Sequence, residues 1–387
     1  MIPANERSGP KVALVKTNRR RDGAAEALAL LSDEIAAIAH DEVVIKPNLV
    51  SHRNQLASTH VDTLSATVDR LLAAGARSIM IAEGASDASE GFTAFGYRDV
   101  LRGLPVRFFD VNRDETEWDE IELRGIDGST RVARISRTLA RARSRVSLAL
   151  CKTHVNTLAT FSLKNMLSCI HPDDRTMMHG YAPDRPAWTG RRAAAVRFLK
   201  GDDLAVRAAT RLLGRLKRIK FRLEGKDRST NPRPLSAADA AFLRSSATLG
   251  SNLLALSRRV KPHFSVVDGF VAMHREGPRH GTPYRLGAMI AGRDAVAVDA
   301  VAAAVMGFDP FSIDHIAKIH DEGLGTADLN AIEIVGDQLS TVRRRLVPHS
   351  HAAILGRIGE IEPIANLVPA PHFERSIDRV DSMKSNI

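Results

Sequence analysis

Residues 41–84 constrain the fold most strongly. Two short β-branched runs, DEVVIKPNLV (41–50) and RSIMIAEG (77–84), flank VDTLSATVDRLLAAG (61–75), in which Leu64, Val68, Leu71 and Leu72 share one helical face. Gly75 suits the end of that helix. A strand, a helix and a strand within about 40 residues imply a parallel pair joined by a right-handed crossover. Further strands are expected at KVALVKT (11–17), VRFFDVN (106–112), RVSLALCK (145–152), FSVVDGF (264–270), RLGAMIAGRD (285–294) and AIEIVG (331–336). Helices are expected over 24–39, 237–258, 295–307 and 310–325. Alternating strands and helices of this kind predict an α/β fold: a doubly wound, mostly parallel sheet with a second α/β portion and a basic helical insertion.

A chain of 387 residues is long for one domain. The expected division is an N-terminal α/β domain (1–160), a helical region (161–260) carrying a basic insertion (190–230), a C-terminal α/β portion (261–340) and an irregular tail (341–387). The 44% hydrophobic and 26% charged content excludes a disordered or collagen-like chain. No apolar run reaches the length of about 18 residues that a transmembrane helix needs. Cys151 and Cys169 are the only cysteines, which excludes a disulfide framework and a cluster held by four thiolates of this chain. The N-terminal segment has no secretory-signal pattern, so a cytoplasmic protein is expected.

The formal charge of +10 is local. Residues 191–228 hold 13 Lys/Arg and four Asp/Glu, a net of +9. Within them Leu204, Leu212, Leu213, Leu216, Ile219 and Leu223 form an apolar stripe, and Arg207, Arg211, Arg215, Arg218 and Arg222 a basic one. One reading is a solvated charged face over a packed apolar face. A second is peripheral association of 204–223 with anionic membrane lipid or an acidic partner. Nucleic acid is disfavoured, because only Phe198 and Phe221 are available for stacking.

Ligands of open α/β sheets sit beyond the carboxyl ends of the strands. That rule selects Lys46 and Asn48, Glu83 and Gly84, Lys152 and His154, and Asp268. The densest constellation adds Thr157, Lys164, Asn165 and His179. Two neighbouring amines attract a carboxylate or phosphate and depress each other's pKa, and imidazoles shuttle protons near neutrality. A solvated loop with ordinary strand-end polar groups is the competing reading. Asp299, inside an apolar helix, is read as a structural pairing because an unpaired buried carboxylate is costly. The 14 histidines form no H-x-x-x-H pattern, and no Gly-rich dinucleotide or phosphate loop is present. A divalent metal at His154 and His179 stays open, and the residues do not otherwise name a cofactor.

IKPNLV (45–50), IAEG (81–84), CKTHVNTLATFSLKNMLSCIHP (151–172), VVDGFVAMHREGP (266–278) and GRDAVAVDAVAAAVMGFDP (292–310) together resemble the domain-of-unknown-function family 362, DUF362. Many relatives carry a ferredoxin-like module with cysteine-ligated iron–sulfur clusters. This chain lacks those cysteines and has an enlarged basic segment, so no iron–sulfur cluster is expected within it. A more distant resemblance reaches the nickel-dependent lactate racemases. It implies that Lys164 corresponds to the lysine carrying their nickel-pincer nucleotide, with His154 and His179 at similar spacing. The glycine-rich surroundings of that lysine are missing.

The resulting expectation is an enzyme acting on a small anionic metabolite by Lys/His proton transfer of isomerase, epimerase or lyase type. Catalysis would fall to Lys164, His179, His154 and Lys152. Lys46, Asn48, Thr157, Asn165, Glu83 and Asp268 would bind substrate. One alternative is a redox or cofactor-binding protein that partners a separate iron–sulfur protein. The other is a peripheral membrane protein held by its basic helix. The oligomeric state is not legible.

Overall fold

The computed structural model describes residues 9–113, 117–182, 204–226 and 234–361. Its main sheet contains β1 (Lys11–Lys16), β2 (Glu42–Pro47), β3 (Ser78–Glu83), β4 (Val106–Asp110), β7 (Ser144–His154), β8 (Leu158–Thr160), β9 (Phe264–His274), β10 (Thr282–Gly292) and β11 (Glu333–Gly336). A separate antiparallel hairpin joins β5 (Trp118–Arg124) to β6 (Thr130–Ser136). The strand order is β11-β1-β10-β9-β7-β2-β3-β4, with β8 folded back on β7. The five strands from β9 to β4 are mutually parallel, as expected around the crossover at 41–84. β10 runs antiparallel to both its neighbours, β1 and β9. The architecture is therefore the predicted α/β type with a mostly parallel sheet.

The sheet is buried on both faces, and side chains alternate between two sets of core residues. Ala13 and Val15, Val43 and Ile45, Ile79 and Ile81, and Met289 and Ala291 face the layer containing helices Arg20–Ala29 and Val61–Ala73. Val12 and Leu14, Val267, and Ala288 and Ile290 face the layer of helix Ala295–Val305. Beyond that layer, Val44, Met80 and Ala82 share a core with the β5–β6 hairpin and helix Ala237–Val260. All eleven residues of β7 are buried, as expected for a central strand.

The expected division at 160 and 261 does not separate this sheet. β1 sits between β10 and β11, whose residues lie more than 250 positions away. Local periodicity identifies each of these strands but carries no signal of their pairing. Part of the expected tail is also fastened to the fold. Arg344 and Leu346 donate backbone hydrogen bonds to the carbonyls of Val305 and Met306, and Val342 and Leu346 are buried.

The helix expected over 24–39 is broken. Arg20–Ala29 ends before Ser32, whose hydroxyl donates to the Ala29 carbonyl at 2.6 Å, and Ser32–Ala36 is a separate short helix. Such local side-chain bonds compete with helix continuation. The helix expected over 310–325 runs from Asp314 to Asp321, after a short 3-10 turn at Pro310–Ser312.

Helix Ala295–Val305 is wholly buried, which its alanine and valine content permits. Asp294 caps it, accepting from Val296 N at 2.9 Å and Ala297 N at 3.2 Å, and its other oxygen accepts from Thr326 N at 3.0 Å. Asp294→Ala removes the cap and the loop tether together. It should cost about 1–2 kcal/mol in urea unfolding, whereas Asp33→Ala on the exposed helix Ser32–Ala36 should change stability by less than about 0.5 kcal/mol.

Candidate functional site

The site is assembled where β2, β3 and β7 end. β7 runs past its parallel neighbours, turns through Val155–Asn156–Thr157 and returns as β8, pairing Lys152 with Thr160 and His154 with Leu158. Leu158 is held at φ 62°, a left-handed conformation that L side chains adopt rarely. The chain then enters the one-turn helix Ser162–Asn165. Asp299 caps that turn from the buried helix, accepting from Ser162 N at 2.8 Å, Leu163 N at 2.9 Å and the Ser162 hydroxyl. Burial pushes the Asp299 carboxyl up to about 7, against the pull of these hydrogen bonds. Asp299 thus has the structural pairing its sequence context implies.

Glu83 is fully buried and meets five donors. Lys46 Nζ lies 3.0 Å from both carboxylate oxygens. Leu49 N, Gly84 N, Ala85 N and the Ser168 hydroxyl supply the rest. Burial works to raise its pKa, but the Lys46 charge and these hydrogen bonds outweigh it, so the net shift is downward. The strand-end glycine is required here, because a Cβ on Gly84 would lie 2.6 Å from the Ser168 carbonyl oxygen.

Asn165 extends this network. Its amide oxygen accepts from Asn48 Nδ2 at 2.9 Å, and its amide nitrogen donates to the Lys46 carbonyl and the Ser147 hydroxyl. Asn48 in turn accepts from Lys152 Nζ at 2.7 Å, and that amine also donates to the Ala57 carbonyl at 2.9 Å. Lys46, Asn48, Glu83, Lys152 and Asn165 are thereby one buried, connected set. Glu83 is its single carboxylate and is committed to Lys46, so the amine of Lys152 has amide and carbonyl partners only. Burial, followed by the charges of Lys164 and Arg279, holds Lys152 well below the ordinary lysine range.

Lys164 differs from both. Its amine has no hydrogen-bond or ion-pair partner among the described residues, and burial brings its pKa down to about 8. Positive charge and imidazoles surround it. His154 is buried and held well below its usual pKa, first by burial and then by Lys164, His179, His349 and Lys152. His154 Nδ1 accepts from Asn156 N at 3.0 Å, which assigns the proton of the neutral ring to Nε2. The structure therefore brings His179 into electrostatic range of His154, and its carbonyl is fixed by Ser245.

Two expected substrate contacts are otherwise engaged. The Thr157 hydroxyl donates to the Ala159 carbonyl at 2.9 Å. Asp268 accepts from Thr63 at 2.6 Å and lies 3.1 Å from Arg20 Nε, tying β9 to helices Val61–Ala73 and Arg20–Ala29. Among the described residues, no three His, Cys, Asp or Glu side chains converge to hold a metal ion, so His154 and His179 are not joined there by a third ligand of these types.

The residue that sequence reasoning missed is His315. It is fully buried, neither ring nitrogen has a hydrogen-bond partner among the described residues, and burial, Lys164 and Lys318 push its pKa down to about 3. A signal was present: His315 lies on the buried face of its helix with Ile316 and Ile319. The Thr160 and Thr248 hydroxyls are likewise buried without a hydrogen-bond partner among the described residues.

A family model described as "Domain of unknown function (DUF362)" matches residues 43–304, and the chain belongs to that family. A thylakoid-associated protein of Synechocystis sp. (strain ATCC 27184 / PCC 6803 / Kazusa) is 32% identical over 75 residues, 19% of this chain and 23% of that protein. The chain therefore spans under a quarter of that relative's length. The lactate racemase apoprotein from Thermoanaerobacterium thermosaccharolyticum matches in structure with a TM-score of 0.42 at 13% identity, over 77% of this chain and 57% of that one. A Thermotoga maritima protein matches with a TM-score of 0.34 at 11% identity, over 68% of this chain and 53% of that one. Neither likeness carries an activity to this chain. No helix among the described residues is long and apolar enough to cross a membrane.

Lys46 and Lys164 should respond oppositely to neutralisation. Lys46→Met leaves the Glu83 carboxylate buried and unpaired and should cost about 3–5 kcal/mol at pH 7. Lys164→Met removes a cation that has no partner among the described residues and should stabilise the ligand-free protein, raising its Tm by a few degrees or about 1 kcal/mol. The sign comes from linkage. Lys164 titrates near 8 when folded and near 10.5 when unfolded, so the native state binds fewer protons across that window. Stability from this group rises with pH between about 8 and 10.5 and is absent below. Urea titrations of wild type and Lys164→Met across pH 7 to 10 check both the offset and its disappearance.

Proposed function

We propose that this DUF362 chain is an enzyme that binds a small carboxylate or phosphate metabolite beside Lys164 and rearranges it by proton transfer. The observation that carries this reading is the Lys164 amine, set among His154, His315 and Lys152 with no counter-charge among the described residues. An anionic ligand supplies that charge and strengthens its hold where water is scarce. In this reading Lys164 and Lys152 bind the anionic group. Lys46, Asn48, Asn165 and Glu83 form the rigid platform that aims Lys152. Asp299 fixes the turn that presents Lys164.

His154 is neutral in the unliganded site, so it begins as a hydrogen-bond partner and proton acceptor. Binding of an anion cancels part of the positive field that depresses its pKa, so the imidazole becomes a stronger base once substrate is present. In this reading a carbon acid next to the bound carboxylate gives its proton to His154, and His179 returns or relays one. Such chemistry belongs to the isomerase, epimerase and lyase classes.

The same linkage makes binding proton-coupled. Lys164 is about half-protonated at pH 8 without ligand, and the anion raises its pKa. Binding at pH 8 should therefore take up a fraction of a proton, while affinity falls as pH rises above about 8. Calorimetry in buffers of different ionisation enthalpy, with inorganic phosphate and small hydroxy and keto acids as probes, measures this directly. Affinity that is flat from pH 7 to 10 would rule out Lys164 as the binding cation. Once a substrate is identified, Lys164→Ala and His179→Ala should each lower kcat/KM by about 100-fold or more, and unchanged turnover in both variants rejects the assignment.

A further inference from the structure

The basic helix Leu204–Lys226 lies on the protein in an unexpected orientation. Its sequence suggests an apolar stripe packed inward and arginines turned to water. Among the described side chains, four of the apolar stripe face outward instead. Leu212, Leu213, Leu216 and Ile219 are 57, 51, 54 and 54% exposed. Arg211 reaches inward instead, donating to the His280 carbonyl at 3.1 Å and the Gly281 carbonyl at 2.9 Å. Gly214 is buried and fits against the Glu276 side chain so closely that a Cβ there would lie 2.2 Å from the carboxyl carbon. Lys217 approaches His351 at 3.4 Å. Among the described side chains the helix is thus held by the buried Val206, a glycine and polar contacts, and leaves Leu212, Leu213, Leu216 and Ile219 largely in solvent.

Four large aliphatic side chains over two turns form an apolar strip of the kind that marks an interaction surface. We infer that this outward face docks the protein on an anionic lipid bilayer, through Leu212, Leu216 and Ile219 set into the interface with Arg215 at its rim. Charge selects the partner. The helix sequence holds eight Lys/Arg and one acidic residue, Glu224, so it matches a surface of anionic headgroups. A second copy of the chain presents the same basic rim, and face-to-face pairing sets like charge against like. The inner side of the same helix grips the 275–281 loop, whose Arg279 acts on Lys152.

The test is flotation of the full chain with vesicles of neutral phosphatidylcholine and of phosphatidylcholine mixed with phosphatidylglycerol. The protein should float with the anionic vesicles only, and less as salt is raised. Leu212→Ser/Leu216→Ser/Ile219→Ser should lower the bound fraction by roughly tenfold or more with unchanged circular dichroism and Tm, since these side chains point away from the fold. Arg215→Glu should weaken binding on the same vesicles. Protein that stays at the bottom of the anionic gradient overturns the inference. So does a triple variant that binds as wild type, or a wild-type dimer in sedimentation velocity that the triple variant abolishes.

Discussion

The Glu83–Lys46 pair is the contact on which the site depends. One carboxylate takes donors from β2, from the loop after it, from the end of β3 and from the Ser168 turn. Buried ion pairs are expensive unless the remaining lone pairs are satisfied, and here they are. The consequence is electrostatic as well as mechanical. The acid of the network is committed to one lysine, so Lys152 relies on neutral partners and Lys164 has none among the described residues. Burial is the first cause that depresses His154 and His315, and the positive field that adds to it follows from this allocation of charge.

Asp299 performs the complementary task from the opposite layer. A carboxylate in the middle of a buried helix is costly, and the shift of its pKa to about 7 records that cost. In exchange it fixes the first turn of Ser162–Asn165, which is too short to hold itself in place. Lys164 and Asn165 sit side by side on that turn yet have different fates. Asn165 is locked into the lysine network by four hydrogen bonds to Lys46, Asn48 and Ser147, while the neighbouring amine has no partner among the described residues. Holding an unpaired cation where burial depresses its pKa is the kind of local conflict that accompanies function in otherwise consistent folds.

Much of this is legible in the sequence, for identifiable reasons. Short β-branched runs ending in polar residues locate the parallel strands, and the strand-end rule picks Lys46, Glu83, Lys152 and His154 without any knowledge of pairing. The β5–β6 hairpin is missing from that reading although Ile121 and Leu123 alternate with acids, Ala133 and Ile135 alternate with arginines, and Asp127–Gly128 lies between them. What periodicity cannot carry is partnership. Nothing local states that β1 lies beside β10 and β11, that Asp299 reaches Ser162, or that His315 lies near Lys164. The basic helix shows the same gap: its two stripes are evident, but which one faces the protein is decided by Gly214 and Arg211 against a loop some 70 residues away.

On the proposed reading, Lys164 is a cation without counter-charge among the described residues of the ligand-free protein and takes an anion as its partner. Its titration tests this most directly. The rate of acetylation of Lys164 in the intact protein, followed by mass spectrometry across pH 6 to 11, reports the fraction of neutral amine. Half-titration is expected near pH 8, shifted upward and protected when a bound carboxylate or phosphate is present. Half-titration near the ordinary value of about 10.5, indifferent to every anion tried, would contradict it.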